Sequence, residues 1–179
     1  MMGACPENVR RLVLLRHATA EPDGREGDES RELTAHGLDE AARAGEWLRE
    51  NDLLGEAVLC SPAARTRQTW AAIQEATGHG VLITMEPAIY EADVDSLLSV
   101  VRDLDATAPE AQTAVIVGHA PGIPALAYEL VAGAGDAGDL ETLTRGFVPA
   151  SAAVVAFEGG WGDVARGAGD LLDVRAGGL

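Results

Sequence analysis

Leu12-Val13-Leu14-Leu15-Arg16-His17 carries the plainest architectural signal in the chain. Four consecutive apolar residues, too few for a helix, run into a cation and then a titratable base. A strand buried on both faces of a parallel sheet has this continuous apolar character. The pattern recurs twice. Ala114-Val115-Ile116-Val117-Gly118 leads into His119, and Ala57-Val58-Leu59-Cys60 leads into Ser61-Pro62-Ala63-Ala64-Arg65. If the three runs are parallel strands, two histidines and two arginines collect at one edge of one sheet. Open sheets of this kind bind ligands outside the carboxyl ends of their strands, and such a constellation suits an anionic phosphoryl group.

Working outward, strands and helices alternate along the chain. Strand one covers about 11–16, and an acidic polar loop, Glu21 to Glu32, follows. The loop reads as solvated, with a flap over the site as the other reading. Thr34 is placed to cap a helix over about 35–50, which carries Leu38, Ala41, Ala42, Gly45 and Leu48 at helical spacing. A strand at 56–60 leads to a helix from about Pro62 to Ala76 that stops at Gly78. Then come a strand at 81–85, a loop through Asp93, a helix at 94–104, a strand at 113–118 and a helix at 122–132 closed by Gly133. Segment 133–139 reads as a loop. The end reads as a hairpin from 152–157 into 161–165, with a last strand at 170–174. The expected fold is α/β, a three-layer sandwich with a mostly parallel sheet, helices on both faces and an antiparallel C-terminal edge. A single domain would occupy 9–175, with 1–8 as a short N-terminal tail.

Composition narrows the function. At 179 residues and 47% hydrophobic, the chain can bury a sizeable core. A net charge of −16 argues against nucleic-acid and anionic-membrane surfaces, both of which need a basic footprint. All 13 basic residues are arginine. Without lysine there is no Walker A lysine and no Schiff-base lysine, so an anion must be held by arginine, histidine or backbone amides. The two cysteines, Cys5 and Cys60, have no CxxC spacing, and Cys60 reads as a small core residue. No secretion signal or apolar run of membrane-spanning length is visible, so the cytoplasm is the expected compartment.

The chemistry-bearing residues take roles on this frame. His17 is the candidate nucleophile, since a neutral imidazole can attack phosphorus and form a covalent phosphohistidine. Arg16 and Arg65 would clamp the phosphoryl oxygens with planar, permanently charged donors. His119 would donate to the transferring oxygens. Glu91 is a candidate proton donor for the leaving group, although it is partly compatible with capping the next helix, as Asp93 and Asp95 are more fully. His36 and His79 read as exposed, and with no HExxH or related motif neither a metal nor a cofactor is expected.

These motifs resemble the histidine phosphatase superfamily, the phosphoglycerate mutase-like fold, and in particular its small SixA-like phosphohistidine phosphatase branch. The resemblance rests on Leu14-Leu15-Arg16-His17-Ala18, on Ser61-Pro62 with Arg65, Gln68 and Thr69, and on Val117-Gly118-His119-Ala120-Pro121-Gly122. Leu33-Thr34-Ala35-His36-Gly37 adds a fourth element. The resemblance implies His17 as the phosphorylated nucleophile and Arg16, Arg65 and His119 as its phosphate pocket, and it favours Arg65 over Arg67. Ala18-Thr19 stands where mutase-like members carry Gly-Glu, and the long substrate-holding insertions of mutases and acid phosphatases are missing. The implied activity is a metal-independent phosphatase acting on a phosphorylated protein or a small phosphorylated metabolite. A phosphomutase and a non-catalytic phosphate- or phosphoprotein-binding module on the same fold are the alternatives.

Overall fold

A computed structural model describes residues 9–178; the tail expected at 1–8 lies outside the described residues. Six strands, β1 (Val9–Arg16), β2 (Ala57–Cys60), β3 (Ile83–Met85), β4 (Thr113–Gly118), β5 (Ala152–Glu158) and β6 (Asp170–Arg175), form one sheet. Its order is β3-β2-β4-β1-β5-β6. The first four strands are mutually parallel, whereas β5 runs antiparallel to β1 and β6 antiparallel to β5. The helices are α1 (Ala35–Glu50), α2 (Ala64–Thr77), α3 (Val94–Thr107), α4 (Gly122–Leu130) and α5 (Ala137–Arg145).

The two-residue period of the strands sorts their side chains into two cores. Val13 and Leu15 of β1 and Val115 and Val117 of β4 pack with Leu48 of α1 and Trp70 and Ile73 of α2. Leu12, Leu14, Ala114 and Ile116 face the other way, onto Leu97, Val101 and Leu104 of α3 and Ile123 and Leu126 of α4. With both faces covered, β1 and β4 carry unbroken apolar runs, and each buried aliphatic side chain contributes roughly 1.5–3 kcal/mol. The fold is therefore the three-layer α/β sandwich with an antiparallel C-terminal edge.

Local signals act as expected at several ends. The Thr34 hydroxyl accepts from Gly37 N at 2.9 Å and starts α1, and Gly78, in the left-handed region at φ +70, ends α2. Gly37 itself has no space for a side chain, because a Cβ there would lie 2.0 Å from the Thr19 carbonyl oxygen. That oxygen accepts from Thr34 N at 3.0 Å, so the start of α1 is clamped onto the segment that follows His17.

Three boundaries differ from the reading of the sequence. The expected strand at 161–165 is a short 3-10 turn, Trp161–Asp163. Trp161 is fully buried and its indole N–H donates to Ala111 O at 2.9 Å, so tertiary packing takes the residue that would have begun a hairpin strand. The turn-rich connection runs on to β6, which still pairs with β5. Helix α5 arises where 133–139 reads as a loop: Asp136 caps it by accepting from Gly138 N at 2.8 Å. Its only buried residue is Leu143, which explains its faint apolar periodicity. The expected 81–85 strand shortens to β3 because Leu82 is left 88% exposed.

Gly37→Ala should lower the unfolding free energy by about 2 kcal/mol or more, the scale of overpacking a filled site. Urea unfolding followed by circular dichroism measures this, and an unchanged midpoint would contradict the clamp.

Candidate active site

The ladder hydrogen bonds continue one step past the strands. His17 N donates to Gly118 O at 3.0 Å and Ser61 N to Val117 O at 3.1 Å, which brings His17, Ser61 and His119 together at the carboxyl edge. The His17 and His119 rings stand 5.3 Å apart between centroids, tilted by 59°. Arg65 lies in the first turn of α2 with its guanidinium buried, and its Nη2 is 3.3 Å from His119 Nδ1. Arg16, His17, Arg65, His119 and Glu91 all line one cavity of about 630 Å³. Arg67 is exposed and does not line it.

The hydrogen bonds fix both tautomers. His17 Nδ1 is 2.8 Å from Ala18 O, which can only accept, so Nδ1 carries the proton and the lone pair sits on Nε2. His119 Nδ1 faces a guanidinium, which can only donate, and its Nε2 is 2.8 Å from the fully buried Ser61 hydroxyl. His119 Nε2 therefore holds the proton, and its Nδ1 accepts. Burial first, then the charge of Arg65, holds both imidazoles below their ordinary range, His17 at about 4 despite its bond to Ala18 and His119 at about 3. Near neutral pH both rings are uncharged. Arg16 is anchored by Nη1 donating to Phe147 O at 2.7 Å.

Residues 12–110 match the histidine phosphatase superfamily (branch 1). The chain belongs to that superfamily. It is 36% identical to an uncharacterised protein of Mycobacterium tuberculosis over 160 residues, 88% of this chain and 96% of that one. A Nakamurella multipartitia protein provisionally named phosphohistidine phosphatase SixA is 36% identical, with a TM-score of 0.82 over 98% of this chain and all of that one. The structure of the protein histidine phosphatase SixA complexed with tungstate shares the fold, at 22% identity and a TM-score of 0.75 over 93% of this chain and 96% of that one.

In this histidine phosphatase the loop 21–32 is largely exposed, as expected. Its base is closed by Glu21 N donating to Glu32 O at 2.8 Å, and its Asp28 and Arg31 line the cavity. Asp28 accepts from Arg65 Nη2 at 2.8 Å, Tyr90 Oη at 2.8 Å and Arg31 Nη1 at 3.0 Å. Tyr90 also meets the His119 ring edge-on at 5.5 Å. Asp28, Arg31 and Tyr90 escaped the reading of the sequence because no periodicity separates Asp28 from the other acids of its loop. The two remaining residues of the Ser-Pro-x-x-Arg motif act as supports. Gln68 Oε1 accepts from Leu33 N at 2.6 Å, and the Thr69 hydroxyl accepts from Ala18 N at 3.1 Å while donating to Arg65 O at 2.7 Å. They tie α2 to both ends of the segment between His17 and α1.

Glu91 sits at the cavity mouth, exposed, with a left-handed φ of +52. Its turn packs against the start of α4, where a Cβ on Gly122 would lie 2.4 Å from Ala92 O. Asp93 rather than Glu91 caps α3, accepting from Ser96 N at 2.8 Å. His36 is exposed and pairs with Glu40 at 3.2 Å. His79, expected to be exposed, is half-buried because it bonds Gly55 O at 3.0 Å and packs on Trp70. Among the described residues no group of three or more His, Cys, Asp or Glu is placed to hold a metal ion, and no helix is long and apolar enough to cross a membrane.

The unfolded chain takes up protons on these imidazoles near pH ~6.5, whereas the folded protein does so only at about 4 and about 3. The stability this confers is complete above the unfolded value and declines as the pH falls below it. The wild-type Tm should therefore drop from pH 7 to pH 5 more steeply than that of a His17→Asn/His119→Asn variant. Parallel slopes in a thermal scan would contradict the depressed proton affinities.

Proposed function

We propose that this histidine phosphatase hydrolyses a phosphohistidine protein or a small phosphomonoester, without metal, through a covalent phosphohistidine on His17. The observation that carries the reading is the fixed tautomer of His17, whose Nδ1–H is spent on Ala18 O, leaving the basic Nε2 on a ring that shares its cavity with Arg16, Arg31 and Arg65. Among the described residues the Nε atoms of Arg16 and Arg65 are buried without a partner, as donors awaiting an anion would be. The provisional SixA assignment of the Nakamurella multipartitia protein supports the phosphohistidine substrate.

The reaction then runs in two displacements. His17 Nε2 attacks phosphorus, and the bond from phosphorus to the leaving nitrogen or oxygen breaks as the leaving group takes a proton from the Glu91 carboxyl. Water next attacks the phosphohistidine, passes its proton to the Glu91 carboxylate, and the P–Nε2 bond breaks to release orthophosphate. Arg16, Arg31 and Arg65 stabilise the charge on the equatorial oxygens, which is most of what phosphoryl transfer requires. His119 holds Arg65 in the free protein. Beside a phosphoryl dianion its proton affinity rises, and Nδ1 becomes a donor to an oxygen.

Turnover of a generic phosphomonoester and of a phosphohistidine protein should be unchanged by EDTA and abolished in His17→Ala. Phosphate binding without turnover would favour a binding module instead. Arg65→Ala should cost on the order of 10²–10³ in kcat, the scale of losing one charge-stabilising donor. A loss below tenfold would remove Arg65 from the pocket.

A further inference from the structure

Both terminal nitrogens of Arg65 are already engaged, and its Nε is the nitrogen left without a partner among the described residues. Its Nη1 donates to the Asp28 backbone oxygen at 2.7 Å and its Nη2 to Asp28 Oδ2 at 2.8 Å, so a single residue occupies both terminal nitrogens of the guanidinium. The carboxylate is held from two further directions, by the Tyr90 hydroxyl on Oδ2 and Arg31 on Oδ1. The Asp28 carboxylate thus takes charge-assisted contacts that the anionic oxygens of a phosphoryl group would take on the same arginines. Arg16 takes no part, since its Nη1 donates to the Phe147 carbonyl.

We propose that Asp28 is an internal competitor for the phosphoryl subsite, whose carboxylate an incoming phosphoryl group must displace from Arg65. This rests on the reading of Arg65 as a phosphate ligand. The exchange is sterically open, because the Asp28 side chain is 47% exposed and its neighbour Gly27, at φ +101, has nothing within 4 Å of where a Cβ would stand. Tyr90 first, then Arg31 and Arg65, keep the carboxyl far below the usual carboxylate range, so it remains an anion throughout the working pH range. The competitor lowers affinity for orthophosphate and so favours release of the product, while a substrate with additional contacts outside the subsite still displaces it.

Calorimetric titration with orthophosphate tests the exchange on the full chain. Asp28→Asn, which keeps the shape but not the charge, and Asp28→Ala should each bind orthophosphate about tenfold or more tightly than wild type, the scale of one bond to a charged group. Equal or weaker binding in both would overturn the proposal and make Asp28 a support for the arginines. Arg65→Ala in the same titration separates the two levels. Weakened binding there, with no gain in the Asp28 variants, sinks only the competitor. Unweakened binding there sinks the phosphate-ligand reading of Arg65, and the competitor with it.

Discussion

The parallel ladder between β1 and β4 runs one bond past the end of β1, where His17 N donates to Gly118 O at 3.0 Å, and the geometry of the site depends on that bond. It places two histidines from positions about a hundred residues apart with their rings 5.3 Å apart. The register is enforced from below. Slipping β1 by one residue would turn Val13 and Leu15 away from α1 and α2 and exchange both cores, a change that two covered faces do not tolerate. The apolar packing of the sheet thus sets the spacing of its carboxyl edge, and the proposed chemistry inherits the rigidity of the core.

Charge is distributed to match. The chain carries a net −16, yet Arg16, Arg31 and Arg65 converge on one cavity. At physiological salt the surrounding acids are screened beyond ~8 Å, so the pocket acts on what has already entered it. The same arginines and the same burial that suit the cavity to an anion also keep His17 and His119 unprotonated. An imidazole that must attack phosphorus needs that state. Fold, proton affinity and proposed nucleophilicity therefore have a common origin in the burial of the sheet's carboxyl edge.

Much of this was legible in the sequence because it is local. The apolar runs ending in Arg16-His17, Cys60-Ser61 and Gly118-His119 mark strands and their ends without reference to anything else. Thr34 and Gly78 mark helix ends by side-chain oxygen and backbone freedom. Arg65 follows from its place in the first turn of α2 together with the motif it shares with the family, which separates it from Arg67. What was not legible depends on contacts across the fold. Asp28 is one acid among several in a loop without period, and only the approach of Arg65 from α2 and Tyr90 from beyond β3 gives it a role. Trp161 reads as a strand residue because the partner that decides its place, the Ala111 carbonyl, lies 50 residues away. Helix α5 was missed since a single buried leucine makes almost no periodic signal.

On the proposed reaction, His17 Nε2 is the atom that attacks phosphorus. Rapid acid-free quenching during turnover, followed by peptide mapping and ³¹P NMR of the trapped protein, tests it directly. One phosphoryl group is expected on His17, attached at Nε2 because Nδ1 is committed to the Ala18 carbonyl. A phosphoryl group at Nδ1, on any other residue, or a pre-steady-state burst with no phosphorylated protein would contradict it.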